Sequence, residues 1–336
     1  MSTLMKRVIS SFLSVLIFFG CFPVASAEEL PPVKYGIALD VGGVGDNSFN
    51  DAVMKSVNTF KKKYSIPDSF VRAVITDGSY LDRVSRLRFL AKSGYSLIIA
   101  VGSDYDRALT KVAGENPELT FAIVNSSGVA QLNVSCLPFN EKEGAFLAGI
   151  AAGAASKTGV VGFVGTAATV DAYPFFTQGV MFAQPKAITK PLIYNGTPAT
   201  AKEFLNNPID VVYSTWSGDS SILSSVKSES SKSRKIWLIT QTPDQYFSLL
   251  PSERKFILAT VTKRVDRAVT DVLELGRGRE SILDIVSETN GIYGRMYSVA
   301  NSGLALTFLN PVTSATQKSI ARGLSVIKQG KLSTQG

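Results

Sequence analysis

Tyr35-Gly36-Ile37-Ala38-Leu39-Asp40-Val41-Gly42-Gly43-Val44-Gly45-Asp46-Asn47-Ser48-Phe49-Asn50-Asp51 is the stretch from which the fold is read. The apolar run from Tyr35 to Asp40 predicts a strand. Three glycines then allow the backbone to turn sharply and to approach a ligand. Ser48 or Asn47 can cap the helix that follows, with Asn50 and Asp51 in its first turn.

The same alternation repeats along the chain. Further strands are predicted over Phe70 to Thr76, Ser96 to Val101, Thr120 to Val124, Val160 to Val164, Leu192 to Tyr194, Val211 to Thr215, Ile236 to Thr240 and Phe256 to Val261. Segments of helical period lie between them, among them Leu81 to Ala91, Glu141 to Ala155 and Arg264 to Leu275. Repeated βα units of this kind specify an α/β class with parallel sheets. They fall into two groups, and a later region returns through Val261 and Met296 to the first. The expectation is two Rossmann-like lobes joined by crossover strands, with a ligand cleft at the carboxyl ends of the strands. Lobe 1 would comprise 33–125 with about 262–297, and lobe 2 about 140–260 with 300–330.

Composition narrows the chemistry. The 336 residues are 45% hydrophobic and 18% charged, which suits packed globular domains, and histidine is absent. Ser-His-Asp and Cys-His nucleophile systems and histidine-bearing zinc sites are therefore excluded. No metal or cofactor site is read. The formal charge of +8 is scattered along the chain and reads as solvated surface, so nucleic acid is not expected as a partner. Residues 1–27 read as an export signal: Lys6 and Arg7 precede an apolar stretch to Phe22, and Ala25-Ser26-Ala27 closes it. Loss of Lys6 and Arg7 would bring the charge from +8 to +6. Phe18-Phe19-Gly20-Cys21 resembles a lipobox, so Cys21 is a lipidation candidate and would anchor the protein to the membrane; cleavage after Ala27 is the alternative. Either cut leaves Cys136 without an intramolecular partner, and its apolar neighbours make it a buried residue.

The glycine loop does not fit G-x-G-x-x-G, and the Walker lysine is missing. Phe49 could stack on a flat heterocycle while Asn50 reads its polar edge. From spacing alone, an ordinary strand-loop-helix with a core phenylalanine is the simpler reading of the stretch.

Asp-x-Gly-Gly-x-x-Asp-x-Ser-Phe-Asn after the first strand resembles the opening motif of the basic membrane protein family, nucleoside-binding lipoproteins that feed ABC importers. Phe121 to Val124, Asn140 to Gly149, Lys157 to Gly165, Lys263 to Asp266 and Ala300 to Gly303 resemble further blocks of that family in the same order. The resemblance implies a type I periplasmic-binding-protein fold. It makes Phe49 the base-stacking ring, Asn50 the base-reading amide and Lys263 the sugar-contacting lysine, with Asp40 either setting the loop or touching the ligand. It also implies an ABC permease and its ATPase as partners, and a nucleoside-like or purine-like ligand.

Three positions depart from the family pattern. Asn125 replaces an aspartate, Thr197-Pro198 stand where a second stacking aromatic is expected, and Thr242 replaces the ribose-binding carboxylate. Trp216, Tyr173, Phe175 and Phe176 could supply the second aromatic face, with core packing expected for Phe175 and Phe176. Two other functions stay open: a surface receptor or adhesin with a degenerate cleft, and a nucleoside hydrolase drawing on Asp40, Asp46, Asp104, Asp106 or Asp244. The expectation is a binder, not an enzyme.

Overall fold

The computed structural model describes residues 31–216, 220–231, 233–241 and 251–332. The expected export segment 1–27, Cys21, Thr242 and Asp244 lie outside them.

Two sheets organise the chain from Val33 onward. The first holds β1 (Tyr35–Leu39), β2 (Val71–Ile75), β3 (Leu97–Val101), β4 (Thr120–Val124), β5 (Val134–Leu137), β11 (Asp284–Ser287) and β12 (Ile292–Gly294), in the order β11-β12-β5-β4-β3-β1-β2. The second holds β6 (Val160–Gly165), β7 (Ile188–Ile193), β8 (Val211–Ser214), β9 (Trp237–Gln241), β10 (Ile257–Lys263) and β13 (Leu304–Phe308), in the order β13-β10-β9-β8-β6-β7. Pairing is parallel except where β11 meets β12 and β13 meets β10. The helices are α1 (Phe49–Tyr64), α2 (Tyr80–Lys92), α3 (Asp106–Glu115), α4 (Glu141–Ala155), α5 (Tyr173–Ala183), α6 (Pro198–Leu205), α7 (Ser221–Glu229), the single turn α8 (Pro251–Arg254), α9 (Val265–Arg277) and α10 (Ser314–Lys328).

The predicted α/β class is the observed one. Most predicted strands lie within a residue or two of their observed positions, and β5, β11, β12 and β13 are additional. β7 begins four residues before the predicted Leu192. It runs through Pro191, which an edge strand tolerates because the missing N–H costs no ladder bond.

The chain leaves the first sheet after β5 through α4, returns from β10 through α9, and crosses again from β12 to β13. Its hydrophobic core is continuous through these crossings: Ile37 and Leu39 of β1 and Val161 and Ile239 of the second sheet belong to one buried cluster. Val53, Val57 and Phe60 of α1 line one face of that helix at the spacing of successive turns and are buried. Helices α4 and α5 meet at glycines. A Cβ at Gly149 would lie 2.1 Å from the carbonyl oxygen of Phe176, and one at Gly179 would lie 2.0 Å from that of Phe146. Of the glycines in the Gly144 to Gly149 block, Gly149 thus serves close helix packing, while Gly144 lies against Val261 of β10. Among the described residues no helix is long and apolar enough to cross a membrane.

Candidate functional site

The loop after β1 is built by its glycines and acids. Gly42 and Gly45 have φ of 93° and 101°, a region that side chains oppose, so the turn needs glycine at both. Asp46 caps α1: its carboxylate accepts from the backbone N–H groups of Ser48 at 2.8 Å, Asn50 at 3.1 Å and Asp51 at 3.1 Å. This corrects the expected cap, because Ser48 makes no side-chain bond to the helix. A carboxylate has acceptor capacity for three donors and complements the helix dipole, which a hydroxyl does less well.

Asn50 is 2% exposed, and its amide points inward. Its Oδ1 accepts from the backbone N–H of Asp40 at 3.0 Å, and its Nδ2 faces the carbonyl oxygens of Asp40 and Val41 at 3.4 and 3.5 Å. The amide expected to read a base therefore fastens the start of α1 to the end of β1 in this structure. Asp40 is tied in another direction. Arg83 of α2 donates to Asp40 at 2.9 Å and to Asp104 at 3.2 Å, and also bonds the carbonyl of Gly78. One guanidinium thus links the ends of β1 and β3, a loop-setting role for Asp40. The phenol of Tyr105 lies under that guanidinium and donates to the carbonyl of Leu39 at 2.9 Å; burial, then the charge of Asp40, push its pKa far up, so it stays a donor.

Phe49 and Asn125 gather around one lysine, Lys263. Lys263 ends β10 in the second sheet, and its side chain is only 9% exposed. Its ammonium forms an ion pair with Glu141, donates to Asn125 Oδ1 at 3.3 Å and lies 5.6 Å from the centre of the Phe49 ring. Asn125 follows β4 and has φ of 61°, a conformation asparagine tolerates better than most residues. Glu141 is the first residue of α4 and keeps its side chain 37% exposed. Its other carboxylate oxygen accepts from Gln241, the last residue of β9. The cluster thus joins Phe49 and Asn125, from the first sheet and its helices, to Glu141, Gln241 and Lys263, from the second. It lies at the carboxyl ends of β4, β9 and β10, where open α/β sheets place their crevices.

The ring of Trp216 stands edge-on to Tyr194, with centroids 5.0 Å apart, and borders Gly196. Phe175 and Phe176 are buried core, as expected, and Tyr173 bonds to Thr189.

The sequence profile of the Bmp family, described as ABC transporter substrate-binding protein PnrA-like, matches residues 34–283. The chain belongs to this family. It is similar over nearly its whole length to the ABC transporter nucleoside-binding protein BmpA of Lactococcus lactis, at 26% identity across 97% of this chain and 98% of the relative. A lipoprotein of Pyrococcus abyssi is 28% identical over 84% of this chain and 74% of its own. Among solved structures, an ABC transporter solute-binding protein from Conexibacter woesei superposes with a TM-score of 0.66, covering 90% of this chain and 98% of that one at 15% identity. That likeness establishes the type I periplasmic-binding-protein fold. Membership places this Bmp chain among substrate-binding proteins, a family of binders and not of enzymes.

Sequence reasoning missed Glu141 and Gln241. Glu141 stands in a block whose sequence marks only a helix start, and Gln241 is adjacent to Thr242, the position that departs from the family pattern. A carboxylate opening a buried helix just after a crossover was the available signal.

Proposed function

We propose that this Bmp protein is the extracytoplasmic substrate-binding component of an ABC importer and captures a nucleoside-like or purine-like molecule between two lobes, 33–125 with about 262–297 and about 140–260 with 300–330. The observation that carries this reading is the convergence of Phe49, Asn125 and Glu141 on Lys263, with Gln241 bonded to Glu141. An aromatic face for a heterocycle and a set of amide, carboxylate and ammonium groups for hydroxyls are brought together from both sheets. Asp40 and Asn50 support the loop that presents Phe49, Thr242 directly follows Gln241, and Trp216 stands at a strand end of the second sheet.

A ligand touching both halves would favour their closed arrangement, which an ABC permease and its ATPase would recognise. Acylation at Cys21 would hold the protein at the cell membrane. Asp40, Asp46 and Asp106 are taken up by Arg83, the α1 backbone and Ser126, and Asp104 also bonds Arg83, so binding without turnover is the better reading of these acids.

Isothermal titration with purine and pyrimidine nucleosides, free bases and unrelated sugars tests the proposal. Stoichiometric binding of a nucleoside or base supports it. Binding of sugars alone, or of nothing in the panel, overturns it, and release of free base from a nucleoside would reassign the protein as a hydrolase.

A further inference from the structure

The charge arrangement around Lys263 points to the electrical character of the ligand. Lys263 is a nearly buried ammonium, and such a group demands a counter-charge. Glu141 supplies it from within the protein, and Gln241 holds the second carboxylate oxygen, so the glutamate is oriented from two sides. Asn125 adds a neutral acceptor to the same ammonium. The cluster is therefore electrically balanced before any guest arrives.

Resting on the function proposed above, we propose that Glu141 is a specificity-determining residue that reserves this site for uncharged ligands and turns away phosphate esters of the same compounds. An anionic guest would meet an ammonium already neutralised and would bring its charge close to a fixed carboxylate. A hydroxylated neutral guest meets both halves of the ion pair as hydrogen-bonding partners, with donors on Lys263 and acceptors on Glu141. Glu141 is the more exposed member of the pair, at 37% against 9% for Lys263, so it is the member an entering molecule meets first. The like-charge contact rejects the wrong guest, while the donor and acceptor set retains the right one.

The test compares adenosine, guanosine and inosine with their 5′-monophosphates, by titration against the unmodified protein and against Glu141→Gln and Glu141→Asp. The unmodified protein is expected to prefer the nucleoside over its monophosphate. Glu141→Gln should narrow that preference by ~10-fold or more, the order of one close charge contact at a partly screened site, whereas Glu141→Asp keeps the charge and should keep the preference. Equal affinity of the unmodified protein for nucleoside and monophosphate overturns the proposal without recourse to a variant, which covers the case of a Gln variant that does not fold. A preference left unchanged in a folded Glu141→Gln protein overturns it as well, while leaving nucleoside capture standing. Binding of free base alone, with no nucleoside bound, overturns this inference and leaves the proposed function standing, whereas failure of the unmodified protein to bind any nucleoside or any free base removes the proposed function on which the inference rests.

Discussion

Asn125 Oδ1 accepts a hydrogen bond from Lys263 Nζ at 3.3 Å, and this contact links the end of β4 in one sheet to the end of β10 in the other. Asn125 makes it from a left-handed backbone, φ 61°. Replacing it with alanine and with glycine separates the two properties. Both variants lose the side-chain bond, but only alanine carries the left-handed strain of ~1 to 2 kcal/mol. Glycine adds unfolded-chain entropy of ~0.4 to 1 kcal/mol, which offsets part of that advantage. Asn125→Gly is thus expected to be the more stable, by roughly 0.5 to 1 kcal/mol in urea unfolding. Equal midpoints, or a more stable alanine protein, would contradict the backbone assignment.

Phe49 and Asn50 are adjacent and should fail in different ways. Phe49 is partly buried against the core and faces Lys263, whereas the Asn50 amide is spent on the backbone of Asp40 and Val41. Phe49→Ala should weaken nucleoside binding by ~1 to 3 kcal/mol with a smaller effect on unfolding, by analogy with base stacking on aromatics. Asn50→Ala leaves a partly buried N–H of Asp40 without its acceptor and should cost ~1 to 3 kcal/mol of folding stability. Titration and urea unfolding of the same two proteins measure both quantities. Should Asn50→Ala unfold like the parent and lose only affinity, the amide turns to the ligand after all.

The crossing of α4 and α5 allows no side chain at its closest point. Gly149→Ala or Gly179→Ala would drive a methyl group to within about 2 Å of a backbone carbonyl oxygen on the facing helix, and backbone yields less readily than a side-chain tip. Separating the helices would open the core around Phe146 and Phe176, so each variant should lose ~3 kcal/mol, near the upper end for overpacking. Thermal and urea unfolding check this. A loss below ~1 kcal/mol would mean that the helices slide apart freely.

The parts of the fold legible in the sequence are those whose cause is local. Tyr35 to Asp51 shows strand, glycine turn and helix start in one window, and the parallel strands buried on both faces announce themselves by apolar runs. Strands β11 and β12 do not, because β11 is an exposed edge strand with Asp284 and Ser287 within the run, and β12, though mostly buried, is only three residues long. Edge strand β7 is hidden by Pro191. The site divides in the same way. Phe49 and Lys263 stand in motifs, but the partnership of Lys263 with Glu141 depends on where α4 begins after the crossing between sheets. Asn50 shows the same limit: beside a loop aromatic its amide looks free for a ligand in the sequence, whereas in the fold it is buried against the backbone of Asp40 and Val41.

Cys136 gives a last check on the interior of the first sheet. The residue lies in β5, fully buried, with its thiol donating to the carbonyl of Val129 and the backbone of Gly294 pressed against its own. Burial pushes the thiol pKa up to about 11. Thiolate is the reactive form, so at pH 8 the folded protein offers little of it, and the reagent has no path to the sulfur. Iodoacetamide at pH 8 should leave the Cys136 peptide unmodified in the native protein and alkylate it fully in guanidinium chloride, as read by peptide mass mapping. Raising the pH to 9 should change the native result little, because the folded thiol still titrates well above that value. Rapid native labelling at pH 8 would mean that β5 opens locally, and the pairing of β5 with β4 and β12 would need revision.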